Sequence, residues 1–218
     1  MMRIPSLLAV LMSGVLLAAC DPAGTDDPAL VGSWLRTRDT GEMRDRWVFG
    51  DDGSFTFDEN KPDEREAEDH VTGTYTAADG IVTATATNTL VPGQVRVTFS
   101  YHAGPAQFAS AALLPRGAHT GIVGVWNGIA RSETLGDTSQ APEGNEGEYD
   151  IRADGTFGAT LTPVDGSAPT VAQGTWTADG GDKFTFTSTN ASGTTVHHTF
   201  QLLEGAALTD LGRVWQRN

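Results

Sequence analysis

Residues 46–57 read RWVFGDDGSFTF, and residues 148–159 read EYDIRADGTFGA. In each stretch, apolar and polar residues alternate up to an Asp-Gly pair, and an aromatic side chain, Phe55 or Phe157, stands two positions after the glycine. Asp-Gly between alternating segments is a hairpin signal, because glycine adopts the positive φ that a tight turn demands. A hairpin written twice prompts a comparison of the chain with itself.

The comparison extends well beyond the hairpin. LVGSWLRTRD, VTGTYTAADG, IVTATATN, VRVTFSYHAG and FASAALLPRG stand opposite IVGVWNGIAR, AQGTWTADGG, KFTFTSTN, VHHTFQLLEG and TDLGRVWQRN. Gly32-Ser33-Trp34 matches Gly124-Val125-Trp126 at an offset of 92. From Asp52 with Asp154 to Phe99 with Phe200, the offset holds at 101 or 102. The polar insertion SETLGDTSQAPEGNEGE absorbs the difference. This ordered series predicts a tandem duplication covering residues 30–117 and 121–218.

Each copy reads as all-β. SFTF, TATATN and KFTFTST alternate with period two, the pattern of strands with one buried face, and threonine and aromatic residues suit a pleated surface. No helical periodicity appears after the first 20 residues; PDEREAEDH, residues 62–70, reads as a charged loop or one short turn. Counting segments predicts seven or eight short antiparallel strands per copy in an up-and-down order. About eight strands close a barrel whose interior holds its own side chains or one small ligand.

The opening Gly-x-Trp, the W-x-F-x-x-D-G-x-F hairpin at Trp47–Phe55 and the mid-domain Gly73-Thr74-Tyr75 and Gly174-Thr175-Trp176 resemble bacterial lipocalin-like domains. The resemblance implies two tandem barrels, with Trp34 and Trp126 packed across their closed ends. Trp47, Tyr75, Trp176 and Phe157 take structural roles on the same reading. The copies depart from one another at two places. Ile151 stands where the first copy has Phe49, and ALLPRG stands where the second copy ends in GRVWQRN. The first barrel is therefore expected to lack a good closing strand and to lean on its neighbour.

The beginning of the chain has a different character. Leu7–Ala19 is an almost unbroken apolar run behind Arg3, shorter than the about 20 residues a spanning helix needs, and it has the layout of a secretory signal. Leu17-Ala18-Ala19-Cys20 resembles the bacterial lipobox. The resemblance implies a signal peptide over residues 1–19, cleavage before Cys20 and diacylglyceryl transfer to its thiol. Residues 20–29 then form a polar, proline-bearing tether. Asp21 resembles an inner-membrane retention signal of some bacterial lipoproteins. The expected place is the envelope, on the outer side of the cytoplasmic membrane, with the membrane a partner through the anchor.

Charge narrows the partners further. Against 28 acidic residues there are 14 basic ones, and removal of residues 1–19 takes away Arg3. Such a chain is a poor binder of nucleic acid through its own charge. With one cysteine in the sequence, no disulfide forms within the chain.

No Gly-x-Ser-x-Gly, His-Glu-x-x-His or phosphate-loop motif is present. His197-His198 are neighbours that point to opposite faces of a strand, so they do not chelate one metal together. The acidic stretch Asp58–Asp69 has carboxylates suited to calcium but lacks the spacing of an EF-hand loop. No catalytic residue, metal site or cofactor is expected. Two functions of different kind follow. One is a binding protein whose barrels take a small apolar ligand. The other is a structural or interaction lipoprotein, or an envelope-tethered inhibitor, presenting an acidic surface around filled barrels. A cavity lined by the inward residues of IVTATATN and KFTFTST favours the first, and interdigitated side chains favour the second.

Overall fold

The computed structural model describes residues 27–38, 41–60, 69–88, 94–135, 141–190, 192–210 and 213–218. Cys20, the signal segment and most of the acidic stretch 58–69 lie outside the described residues.

The described chain is all-β and antiparallel. Six strands follow one another as a meander: β1 Gly32–Thr37, β2 Met43–Phe49, β3 Ser54–Glu59, β4 Asp69–Ala78, β5 Ile81–Asn88 and β6 Gln94–Ala103. After them come β7 Gln107–Ser110, β8 Leu114–Pro115, β9 Gly124–Leu135, β10 Glu143–Ile151, β11 Thr156–Pro163 and β12 Thr170–Gly180. The series ends with β13 Lys183–Thr189, β14 Thr195–Leu203, β15 Ala207–Asp210 and β16 Val214–Arg217. The strands are less uniformly short than the sequence suggested. β4 and β6 run to 10 residues, β12 to 11 and β9 to 12.

A closed barrel of eight strands contains β1–β7 and is completed by β16, which pairs antiparallel with both β1 and β7. The last four-residue strand of the chain thus closes the ring begun by its first strand. β9–β15 continue the same sheet outward from β6. Their far edge returns toward β8, since Leu113 and Leu208 exchange both backbone hydrogen bonds at 2.8 and 2.9 Å while β8 pairs with β9. All sixteen strands of the described residues therefore belong to one hydrogen-bonded sheet.

Local chemistry explains the turns. Gly53 (φ 77°) and Gly155 (φ 83°) take the left-handed conformation in the two hairpins quoted first. The preceding aspartates, Asp52 and Asp154, accept from the backbone N–H and the hydroxyl of Ser54 and Thr156 at 2.6–3.0 Å. Those side-chain bonds, with the backbone bonds beside them, hold both carboxyls below the usual carboxylate range.

Gly73 and Gly174 have a steric reason instead. A Cβ there would lie 2.1 Å from the Thr85 carbonyl oxygen and 2.0 Å from that of Thr187. The bare positions also lie under the rings of Phe55 and Phe157, their register partners on the next strand.

Trp34 and Trp126 are fully buried, and each indole N–H donates to a carbonyl four residues back, Leu30 at 2.8 Å and Ile122 at 2.7 Å. Tyr75 is buried and donates to the Gly50 carbonyl at 2.8 Å. The core falls into two main clusters, one around Trp34, Phe49 and Phe108 and one around Trp126, Phe157 and Phe186.

Candidate functional site

The sheet forks at β6. Residues 101–103 of β6 pair with β7, whereas residues 94–99 pair with β9. Ser100 sits at the division, 1 % exposed. Its hydroxyl donates to the Ala112 carbonyl at 2.5 Å and accepts from the Ile129 N–H at 3.0 Å, and its own carbonyl accepts from Ala112 N–H. One small side chain thereby ties β6 to β9 and to the segment that links β7 with β8.

β1 has register partners toward β16 only at Trp34 and Leu35. A cavity of about 730 Å³ is lined by residues of this ring together with Ala130 and Arg131 of β9 and Asp210 of β15. Trp47, Phe55, Phe99, Ala84, Ala86, Val97 and Trp215 of β16 supply most of its apolar lining. The room has a sequence cause: alternate positions of β5 carry alanine, and Ala86 faces Gly73 across the β4–β5 ladder.

The position 102 residues after Ala84 is Phe186. That ring meets Phe157 edge-on at 5.0 Å and Phe200 at 5.1 Å, so aromatic side chains fill the space that the alanines leave open in the first ring. Among the inward residues singled out from the sequence, those of IVTATATN line a cavity, while those of KFTFTST belong to packed aromatic contacts.

Charges along the cavity are largely committed. Arg36 reaches Asp45 through Nε at 2.9 and 3.1 Å and through Nη2. Asp45 is buried, and it also accepts from the indole N–H of Trp215, over whose ring the Arg36 guanidinium lies at 4.8 Å. Arg131 borders the cavity from β9 and forms an ion pair with Glu133 at 3.6 Å. His70 bonds Asp58 at 2.6 Å, and Arg46 reaches the same carboxylate at 2.7 Å. Partial burial works against the Asp58 charge, but these two partners outweigh it and hold the carboxyl below its ordinary range. Exposed Arg213 and Asp210, of opposite sign, border the cavity near the chain's end.

The residues singled out from the sequence fall in different places. Trp34, Trp126 and Tyr75 are sealed in the core. Trp47 is half-buried, stacks on Phe49 at 5.3 Å and presents area to the cavity. Trp176 is half-buried and donates to the Arg152 carbonyl at 3.0 Å. His197 lies opposite Thr187 and His198 opposite Phe186, on alternate faces of β14. Among the described residues no group of three His, Cys, Asp or Glu side chains could hold a metal ion. Sequence reasoning missed Ser100, Asp45 and Trp215. The alanine repeat of β5 was the one visible signal for the cavity.

No protein-family model, curated protein or solved structure matches this chain.

Proposed function

We propose that the protein is a non-enzymatic, lipid-anchored bacterial envelope protein whose first ring binds a small, uncharged apolar molecule. The cavity beside Ala84 carries this reading. Its volume of about 730 Å³ falls within the roughly 300–1,000 Å³ of ordinary ligand sites, which are likewise apolar with few polar groups. Asp45 neutralises Arg36 beside Trp215, and because burying an unpaired charge is costly, the mainly apolar lining suits an uncharged molecule.

The same proposal includes a history for the two sequence copies. We take residues 30–117 and 121–218 to be lipocalin-like products of one duplication that have exchanged their last strands, with β16 closing the first ring and β8 serving the second part. The paired glycines Gly73 and Gly174 and the paired indole bonds of Trp34 and Trp126 support this reading. The second part, packed with aromatic rings, is then a scaffold. A purely structural or interaction role for the whole protein remains the alternative that this packing favours.

Titration of the purified protein with the neutral fluorophore N-phenyl-1-naphthylamine tests the binding role. The expected result is a saturable rise in fluorescence that Ala84→Phe, which copies Phe186, abolishes while circular dichroism is unchanged. No saturable signal from the unaltered protein overturns the reading. For the anchor on Cys20, the mass of the mature N-terminal peptide is decisive: acyl chains on Cys20 are expected, and an unmodified peptide overturns it.

A further inference from the structure

Part of the cavity wall is the short strand β16. β16 has four residues, and its register partners are Trp34 and Leu35 on one side and Gln107, Phe108 and Ala109 on the other. It is laced at its end by Arg217 N–H to the Ala106 carbonyl and Asn218 N–H to the Ser33 carbonyl, at 2.9 and 3.0 Å. Arg217 also lies over the Trp34 ring at 4.8 Å and donates to the Val31 carbonyl at 2.7 Å. Trp215 packs on Phe108 with ring centres 5.3 Å apart, and together with Arg213 it supplies the cavity's wall on this side. β8, the two-residue strand that pairs with its sequence neighbour β9, borders no part of this cavity.

We infer that occupancy of the cavity and seating of β16 are coupled, with Trp215 the residue through which each is felt by the other. The inference rests on the binding role proposed above. A molecule resting against Trp215 loses that wall when β16 leaves the ring, so it binds the seated strand more tightly than the released one. By mass action it holds the strand in place by a factor of 1 + [ligand]/Kd, about 100-fold at a concentration of 100 Kd. Linkage makes the effect reciprocal: whatever loosens β16 weakens the ligand by the same factor. A four-residue strand with few partners is drawn from the low-stability end of a fold, where local opening precedes global unfolding.

Hydrogen exchange measured by mass spectrometry, with and without saturating N-phenyl-1-naphthylamine, tests this on the intact protein. Amides of residues 215–217 are expected to slow by up to about 100-fold at 100 Kd, while those of residues 114–115 in β8 keep their rates. Trp215→Ala is expected to weaken the fluorophore at least tenfold, and Trp215→Phe, which preserves the packed ring, to restore most of the loss. Saturable binding with no slowing at 215–217, or with equal slowing at both strands, overturns the coupling and leaves the binding role standing. Absence of saturable binding removes both.

Discussion

The indole N–H of Trp215 donates to the carboxylate of Asp45, 170 positions earlier in the chain. The bond joins the last strand to the second across the interior of the first ring, and Arg36 completes the cluster from the first strand. Asp45 thus satisfies one guanidinium and one indole where water hardly reaches.

Removing Asp45 leaves both donors without their acceptor. Asp45→Ala is expected to destabilise the protein by about 3–5 kcal/mol, the usual effect of breaking a buried ion pair from one side. Replacing both partners, Arg36→Met with Asp45→Leu, is expected to recover most of it, since the uncompensated charge is then gone. Urea unfolding of the unaltered protein and the two variants decides the matter; equal losses in the single and double variants contradict the argument.

The two strand glycines Gly73 and Gly174 make a sharper steric case. Gly73→Ala and Gly174→Ala each place a methyl about 2 Å from a neighbouring carbonyl oxygen, and overpacking of this kind is expected to cost about 3 kcal/mol or more. Gly158 is the control, because a Cβ there meets only the end of the Arg152 side chain, at 3.4 Å. Gly158→Ala should shift stability by less than about 0.5 kcal/mol. Thermal melts that fail to separate the control from the other two contradict the steric reason.

Ser100 tests the fork. Ser100→Ala removes the acceptor of the Ile129 N–H and the donor to the Ala112 carbonyl. An unsatisfied buried donor or acceptor costs about 1–3 kcal/mol, so a loss in that range is expected. Exchange of the Ala112 and Ile129 amides should accelerate with it. A neutral effect on both means the fork is held by backbone pairing alone.

Alkaline pH should act through the tyrosines. Burial is the main cause that raises all three phenols above their ordinary value, with Tyr75 pushed up to about 12 and Tyr101 further hindered by its bond to Asp27. The folded state then holds these protons more tightly than the unfolded chain. The stability so contributed is fully present below pH 10 and is lost as pH rises from about 10 through 12. Phenolate absorbance is expected to appear together with unfolding, and a reversible titration near pH 10 in the folded protein refutes this.

The strands were legible because their causes are local. SFTF and KFTFTST carry their own alternation, and Gly53 and Gly155 carry their own turn geometry, so neighbouring residues suffice to place a hairpin. Trp34 and Trp126 were legible as core through the motif around them, and each uses a carbonyl four residues away. The cavity was half legible. TATAT announces small inward residues, but the space exists because Phe55, Phe99 and Trp215 stop short of one another, and these come from separate strands.

From the sequence alone came the all-β class, the hairpins, the doubled motif and the expectation that the first half needs help to close. Tertiary structure alone decided who provides that help. The Trp34↔Arg217 and Trp215↔Phe108 pairings join positions more than a hundred residues apart, and period-two alternation carries no information about which distant strand lies alongside. The burial of Asp45 follows for the same reason: an aspartate in MRDRWVF reads as a solvated residue until the ring closes over it with Arg36 and Trp215 as partners.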